Sequence, residues 1–245
     1  MASERLARPG GALCALSPSA VVVADQDGGI WRLGDGGGGW RRVAPGFAHV
    51  EQLSAWYPDL SCQGSNAVEL AQAFCEAACG GEVDSHVRQT TDGGHGWRTV
   101  IGQTTSAGGV RTDPASGPRV LIEHAVALGR RGLCLVGSTY NGPQTVAISC
   151  AAHPHAAFHD ATLPRLPFPP RTLTGVALQG VDFLNATTGW MLVDQYTTRG
   201  TPASTRAKTE IWSTDDGGVT WHAPYVSGAY RLHWCSKLHT SWCWR

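Results

Sequence analysis

The sequence predicts an all-β protein of the β-propeller class, and three observations predict it. A short turn motif closing on Trp recurs at near-constant spacing. Strand-length apolar runs precede each copy. The composition, rich in Gly (31 residues) and Trp (10), suits repeated strands and tight turns better than helices.

The clearest copy of the motif is Thr214-Asp215-Asp216-Gly217-Gly218-Val219-Thr220-Trp221. A second reads Thr90-Thr91-Asp92-Gly93-Gly94-His95-Gly96-Trp97, and a third Leu33-Gly34-Asp35-Gly36-Gly37-Gly38-Gly39-Trp40. All three place Asp third, Gly fifth and Trp eighth. A decayed copy over 151–158 keeps only the closing aromatic, Phe158. The closing aromatics are 57, 61 and 63 residues apart, and that regularity marks a structural repeat of about four units.

Each unit has the same context. Val21-Val22-Val23-Ala24, a turn at Asp27-Gly28 and Ile30-Trp31-Arg32-Leu33 precede the first turn. Leu133-Cys134-Leu135-Val136 and Val146-Ala147-Ile148 precede the decayed one, and Gly189–Val193 and Glu210–Ser213 the last. The unit is strand, hairpin, strand, Asp-Gly turn and a short strand beginning at Trp. Such a sheet has too little core to stand alone, and radial stacking buries its faces. The turn chemistry is local: Asp accepts bonds from backbone N–H groups a few residues on, and the glycines supply positive φ. The closing Trp is then directed to pack beneath the loop.

These turns resemble the Asp-box (BNR) repeat, Ser/Thr-x-Asp-x-Gly-x-Thr-Trp, of sialidases and related propellers. Thr214, Asp216, Gly218, Thr220 and Trp221 match every place. Thr90, Asp92, Gly94 and Trp97 match all but the second Thr. The first copy keeps Asp35, Gly37 and Trp40 but departs at Leu33 and Gly39. Val181 to Trp190 is similar to the strand opening of blades in propellers like the photosystem II stability/assembly factor. The resemblance covers roughly 12–226 and implies structural roles for the turn residues. Residues 1–11 form a leading segment on this reading, and 227–245 an irregular tail or the start of a further blade. Six or seven blades are usual in these families, so four suggest a partial ring.

Composition excludes several function classes. With 42% hydrophobic and 16% charged residues the chain is too apolar to be disordered. Lys plus Arg equals Asp plus Glu, at 19 each, so no net field gathers nucleic acid or an anionic membrane. No run approaches the roughly 20 apolar residues that span a bilayer. Arg5 and Arg8 near the start are followed by no signal-peptide apolar region.

Eight cysteines point the other way on compartment. Cys134 and Cys150 sit symmetrically about Gly142, so a hairpin there would bring them together as a disulfide. Cys62, Cys75 and Cys79 form a second group and Cys235 and Cys243 a third. This usage favours an extracellular or periplasmic setting over buried free thiols.

Catalytic readings are weaker. Sialidase chemistry needs arginines on the substrate carboxylate and a Tyr nucleophile paired with Glu. The family's Arg-Ile/Leu-Pro tripeptide has one counterpart, Arg165-Leu166-Pro167, in a Pro-rich stretch that reads as a linker. Tyr140, Tyr196, Tyr225 and Tyr230 have no glutamate partner legible in the sequence. Gly34-x-Gly36-x-x-Gly39 satisfies the dinucleotide template, but Trp40-Arg41-Arg42 follows in place of an apolar helix. His153, His155 and His159 read as a surface loop rather than a metal site. Ala67 to Ala78 also fits helical spacing through Val68, Leu70, Phe74 and Ala78, leaving a helical insertion open. Gly102 to Gly117 reads as an insertion. Asn185-Ala186-Thr187 is a glycosylation sequon that also reads as a turn.

The expectation is therefore a non-enzymatic propeller presenting loops to a protein partner or a glycan, with no cofactor and no metal. The alternatives are an exo-sialidase-type glycoside hydrolase and a truncated propeller fragment without independent function.

Overall fold

The computed structural model describes residues 11–34, 38–47, 57–74, 83–106, 109–113, 120–139, 146–164, 173–197 and 205–222. Strands and turns account for them, with no helix among the described residues. The first sheet holds β1 (Ala12–Ser17), β2 (Ala20–Ala24), β3 (Ile30–Leu33) and β4 (Trp40–Ala44). The second holds β5 (Tyr57–Gln63), β6 (Asn66–Phe74), β7 (Val83–Thr90), β8 (Arg98–Ser106) and β9 (Gly109–Asp113). The third holds β10 (Val120–Leu128), β11 (Gly132–Thr139), β12 (Val146–Ala151) and β13 (His159–Asp160). The fourth holds β14 (Leu173–Phe183), β15 (Gly189–Thr197) and β16 (Thr205–Thr214).

Each sheet is an antiparallel meander in chain order. The sheets also stack in chain order: β1 and β2 lie against β5, β5 and β6 against β10, and β10, β11 and β12 against β14. Consecutive antiparallel meanders of three to five strands stacked face to face are blades, and the molecule is an all-β partial propeller.

The core lies between blades. Leu16, Ala20, Val22 and Ile30 of the first blade meet Leu60, Cys62, Ala67 and Trp97 of the second. Val68, Leu70, Val87 and Ile101 meet Ala125, Ala127, Leu133, Leu135 and Phe158 of the third. Val126, Cys134, Val136, Ile148 and Cys150 meet Phe183, Met191, Val193, Trp212 and Trp221 of the fourth. Side chains alternate across a strand, so inner blades carry apolar residues on both faces. Each fully buried Val, Leu, Ile, Phe or Met among them contributes about 1.5–3 kcal/mol.

That two-sided burial explains one departure from the sequence reading. The stretch from Ala67 is no helical insertion: Asn66–Phe74 is a strand paired with β5 and β7, and residues 75–78 lie outside the described set. A central strand covered on both faces is nearly continuously apolar, and such a run also satisfies helical spacing. The stretch from Gly102 is likewise only partly an insertion, because it completes β8 and supplies β9 as a fifth strand.

Candidate functional site

Two turns are built alike at one end of their blades. Thr90 Oγ1 donates to Asp92 Oδ1 at 2.7 Å and accepts the Gly94 N–H at 3.1 Å. Asp92 Oδ1 also accepts the N–H groups of His95 and Gly96, both at 3.0 Å. In the fourth blade Thr214 Oγ1 donates to Asp216 Oδ1 at 2.8 Å and accepts the Gly218 N–H at 3.0 Å. The Thr220 N–H reaches Asp216 Oδ1 at 2.9 Å. The seventh residue thus bonds through its backbone, and Gly96 can stand where Thr220 stands. Gly93, Gly94, Gly217 and Gly218 all have positive φ, from 74° to 85°. The fourth-position N–H ties each turn to its own blade's first hairpin: Gly93 to Ser65 O at 3.0 Å, Gly217 to Thr187 O at 2.8 Å.

Burial opposes charge on both carboxylates, but their hydrogen bonds outweigh it. The Gly96 N–H, the Thr90 hydroxyl and the His95 N–H hold Asp92 below the ordinary carboxylate value. The Thr220 N–H and the Thr214 and Thr220 hydroxyls do the same for Asp216.

The closing tryptophans differ. Trp221 is buried, donates Nε1–H to Gly218 O at 3.1 Å, and meets Phe183 edge-on at 5.9 Å. Trp97 packs against the first blade's core, but its buried Nε1–H has no acceptor among the described residues. In the first turn Trp40 pairs with Leu33 across β3 and β4, while Asp35 and Gly37 lie outside the described residues. Gly39 has a φ of 89° and leads into a strand, not a nucleotide-binding helix.

The turns also dock on the preceding blade. A Cβ on Gly94 would lie 2.9 Å from Leu16 Cδ1 and 3.0 Å from Val22 Cγ1. One on Gly218 would lie 2.9 Å from Cys150 Sγ and 3.4 Å from Cys134 Sγ. Cys134 and Cys150 face each other in register and are disulfide-bonded. Cys62 bonds to Cys14, not to Cys75 or Cys79, which lie outside the described residues. This second disulfide joins β1 to β5 across a blade seam, a pairing that sequence grouping missed because the partners are 48 residues apart.

Polar side chains of the second blade satisfy the free edge of β10. Gln103 donates to Val120 O at 2.8 Å and accepts the Ile122 N–H at 3.1 Å, and Gln72 donates to Ile122 O at 2.8 Å. Ser61 accepts the Ala127 N–H at 3.0 Å, and beyond the strand Asn66 donates to the carbonyl oxygen of Gly132, at the start of β11, at 2.8 Å. An edge strand covered in this way cannot recruit another strand.

The first seam holds a buried ion pair. Arg88 bonds to Glu69 at 2.5 Å, to Pro45 O at 2.7 Å and to Gly28 O, and its guanidinium lies 4.2 Å from the Phe47 ring centroid. Glu69 Oε1 is buried without a hydrogen-bond partner among the described residues. Burial pushes the Glu69 carboxyl up to about 7 against the opposing pull of Arg88. His86 stacks on Phe47 at 4.7 Å, and burial, aided by Arg88, holds it below the usual imidazole value despite Asp84.

The strand ends away from the turns carry exposed aromatic surface. Tyr57 and Phe74, at the far end of the β5–β6 hairpin, are 56% and 41% exposed, with ring centroids 5.7 Å apart. Asp59 stands two residues along β5, and Ser138 donates to Glu123 at 2.9 Å in the next blade. Burial holds the nearby His124 below the usual imidazole value, while Asp59 and Glu123 pull it up. Sequence reasoning named Phe74 only as a helical-spacing position and did not single out Tyr57. Only the hairpin register makes them neighbours.

His155 Nε2 lies 2.8 Å from Arg98 Nη1, His153 and His159 are exposed, and no group of metal-ligating residues forms among the described residues. Asn185 Oδ1 accepts the N–H groups of Thr187 and Thr188, both at 2.8 Å, so the sequon is an exposed turn. Arg165–Pro167, Tyr140, Tyr225 and Tyr230 lie outside the described residues. No described helix is long and apolar enough to cross a membrane.

No protein-family model matches the chain, and no curated protein matches it. Among solved structures it is similar to YCF48 bound to D1 peptide, at 11% identity and a TM-score of 0.26, over 91% of this chain and 84% of that one. It is also similar to YCF48 from Cyanidioschyzon merolae, at 12% identity and a TM-score of 0.28, over 93% and 90%.

Proposed function

We propose that this chain is a non-enzymatic β-propeller that binds an extended polypeptide partner at the strand ends around Tyr57 and Phe74. The observation that carries the reading is that exposed aromatic pair. Paired aromatics held on a rigid hairpin present large contact area at low conformational cost, which is the composition of binding hot spots. Asp59 and Glu123 alongside supply acceptors for a rim. One of the similar solved structures is recorded with a bound peptide, which agrees with this class of partner.

On the same reading the 90–97 and 214–221 turns are Asp boxes with a structural role. Their Asp carboxylates are occupied by backbone N–H groups and their glycines by contact with the neighbouring blade. The first and decayed copies, including Asp35, Gly37 and Trp40, are weaker members of the series.

Peptide-display selection on the folded chain tests the proposal. Enriched peptides should bind the Tyr57→Ala/Phe74→Ala variant at least about 10-fold more weakly, as truncation of hot spots does. No enrichment, or peptides that bind this variant as well as wild type, would refute the site. Turnover of a fluorogenic sialoside, abolished by Arg165→Ala, would refute the non-enzymatic reading itself.

A further inference from the structure

Every seam between blades is built from the same register positions, and the two outermost described faces repeat those positions with no partner among the described residues. Leu33, Thr90, Ala151 and Thr214 open the four turn copies, and they pair with Val21, Ala67, Leu133 and Gly189 on the second strand of each blade. One residue further along that strand stand Val22, Val68, Cys134 and Trp190. The first three are completely buried beneath the next blade. Trp190 is only half-buried, and Leu192 and Ile211, which pair beside it, are half-buried as well.

The opposite face shows the same pattern. Leu13, Leu60, Ala125 and Val181 occupy equivalent places on the first strands, opposite Val23, Glu69, Leu135 and Met191. Leu60, Ala125 and Val181 pack into the core shared with the preceding blade. Leu13 is 65% exposed, with Val21, Val23 and Leu33 half-buried on the same face.

One molecule therefore carries both halves of the seam it has already built three times. We infer that two copies of this chain associate head to tail, the fourth blade of each seated on the first blade of the other. The complementarity is heterologous, so a contact that closes must use both faces of both copies. The described blades of two copies number eight, within the range that propeller rings adopt. Closure would cover Leu13 and Trp190 as their counterparts are covered. The inference rests on the seams alone and does not depend on peptide binding at Tyr57 and Phe74.

Light scattering across a dilution series of the 245-residue chain, shown by circular dichroism to be folded, tests it. The expected mass is twice the 26.0 kDa of one chain. Leu13→Asp and Leu192→Asp each place a charge in the seam and should raise the dissociation constant about 100-fold. Each of these variants keeps one intact face, so mixing the two should restore a share of the dimer, which neither forms alone. Leu13 is exposed, so its substitution leaves the isolated fold intact, and circular dichroism of each variant checks this. A folded wild-type monomer throughout the series would overturn the inference, as would larger open assemblies. Dimers unaffected by either substitution, or no recovery on mixing, would also overturn it.

Discussion

Arg32 in β3 and Gly93 in the second blade's turn are 61 residues apart, and the Arg32 Nε–H donates to the Gly93 carbonyl oxygen at 2.7 Å. The Arg32 stem also lines the place where the turn's Gly94 rests against Val22. In the next equivalent seam Cys150 takes the register position of Arg32 and Cys134 that of Val22, and Gly218 rests on their disulfide. Different side chains thus build one floor for the same turn.

Because that floor leaves no room, Gly94→Ala and Gly218→Ala should each lower stability by about 1–3 kcal/mol, from positive φ and overpacking combined. Gly38→Ala has open space around it and should change stability by less than about 0.5 kcal/mol. Urea midpoints of the three variants check this. Equal losses at all three positions would refute the docking role.

The two closing tryptophans should respond differently to phenylalanine. Trp221→Phe removes the bond to Gly218 O and should cost about 1–3 kcal/mol. Trp97→Phe removes a buried N–H that has no acceptor among the described residues and should cost less. Calorimetric melting of both variants measures the difference.

The turn carboxylates give stability an acid limb. The folded values of Asp92 and Asp216 lie below 3.8, so their contribution is present above the unfolded value and lost as pH falls through the folded one. Asp216→Asn should flatten the decline of the urea midpoint below pH 3.8. An unchanged acid limb would show that its hydrogen bonds do not favour the ionised form.

Glu69 acts in the opposite direction. Its folded value is raised from 4.5 to about 7, so its contribution is complete below 4.5 and declines as pH rises through about 7. Glu69→Gln should flatten the urea midpoint over that window, whatever its effect on absolute stability. Removing Arg88 takes away the pull that lowers Glu69, so Arg88→Met leaves a buried, protonated carboxyl with lost hydrogen bonds and should cost about 1–3 kcal/mol at neutral pH.

The disulfides should rank by the chain they close. Chain-entropy arguments give about 4 kcal/mol for Cys14–Cys62, at a sequence separation of 48, and about 3 kcal/mol for Cys134–Cys150, at a separation of 16. Denaturation of the paired Cys→Ser variants measures both, and the interblade pair should show the larger loss.

What the sequence determined by itself was local. The turn copies, their hairpins and the Cys134–Cys150 pairing are all encoded within a few dozen residues, through Asp and Thr bonds to nearby N–H groups and glycines at positive φ. The all-β class follows from that period. The tertiary structure alone decided which faces meet: the Cys14–Cys62 bond, the Arg88 clamp on Gly28 and Pro45, the amides along β10, and the Tyr57–Phe74 pair. Each joins residues whose separation in sequence carries no signal, and the strand from Asn66 is legible as a strand only once blades cover both its faces. Local hydrogen bonds are set by neighbouring residue types, whereas the seams depend on which apolar faces remain to be buried after every sheet has formed.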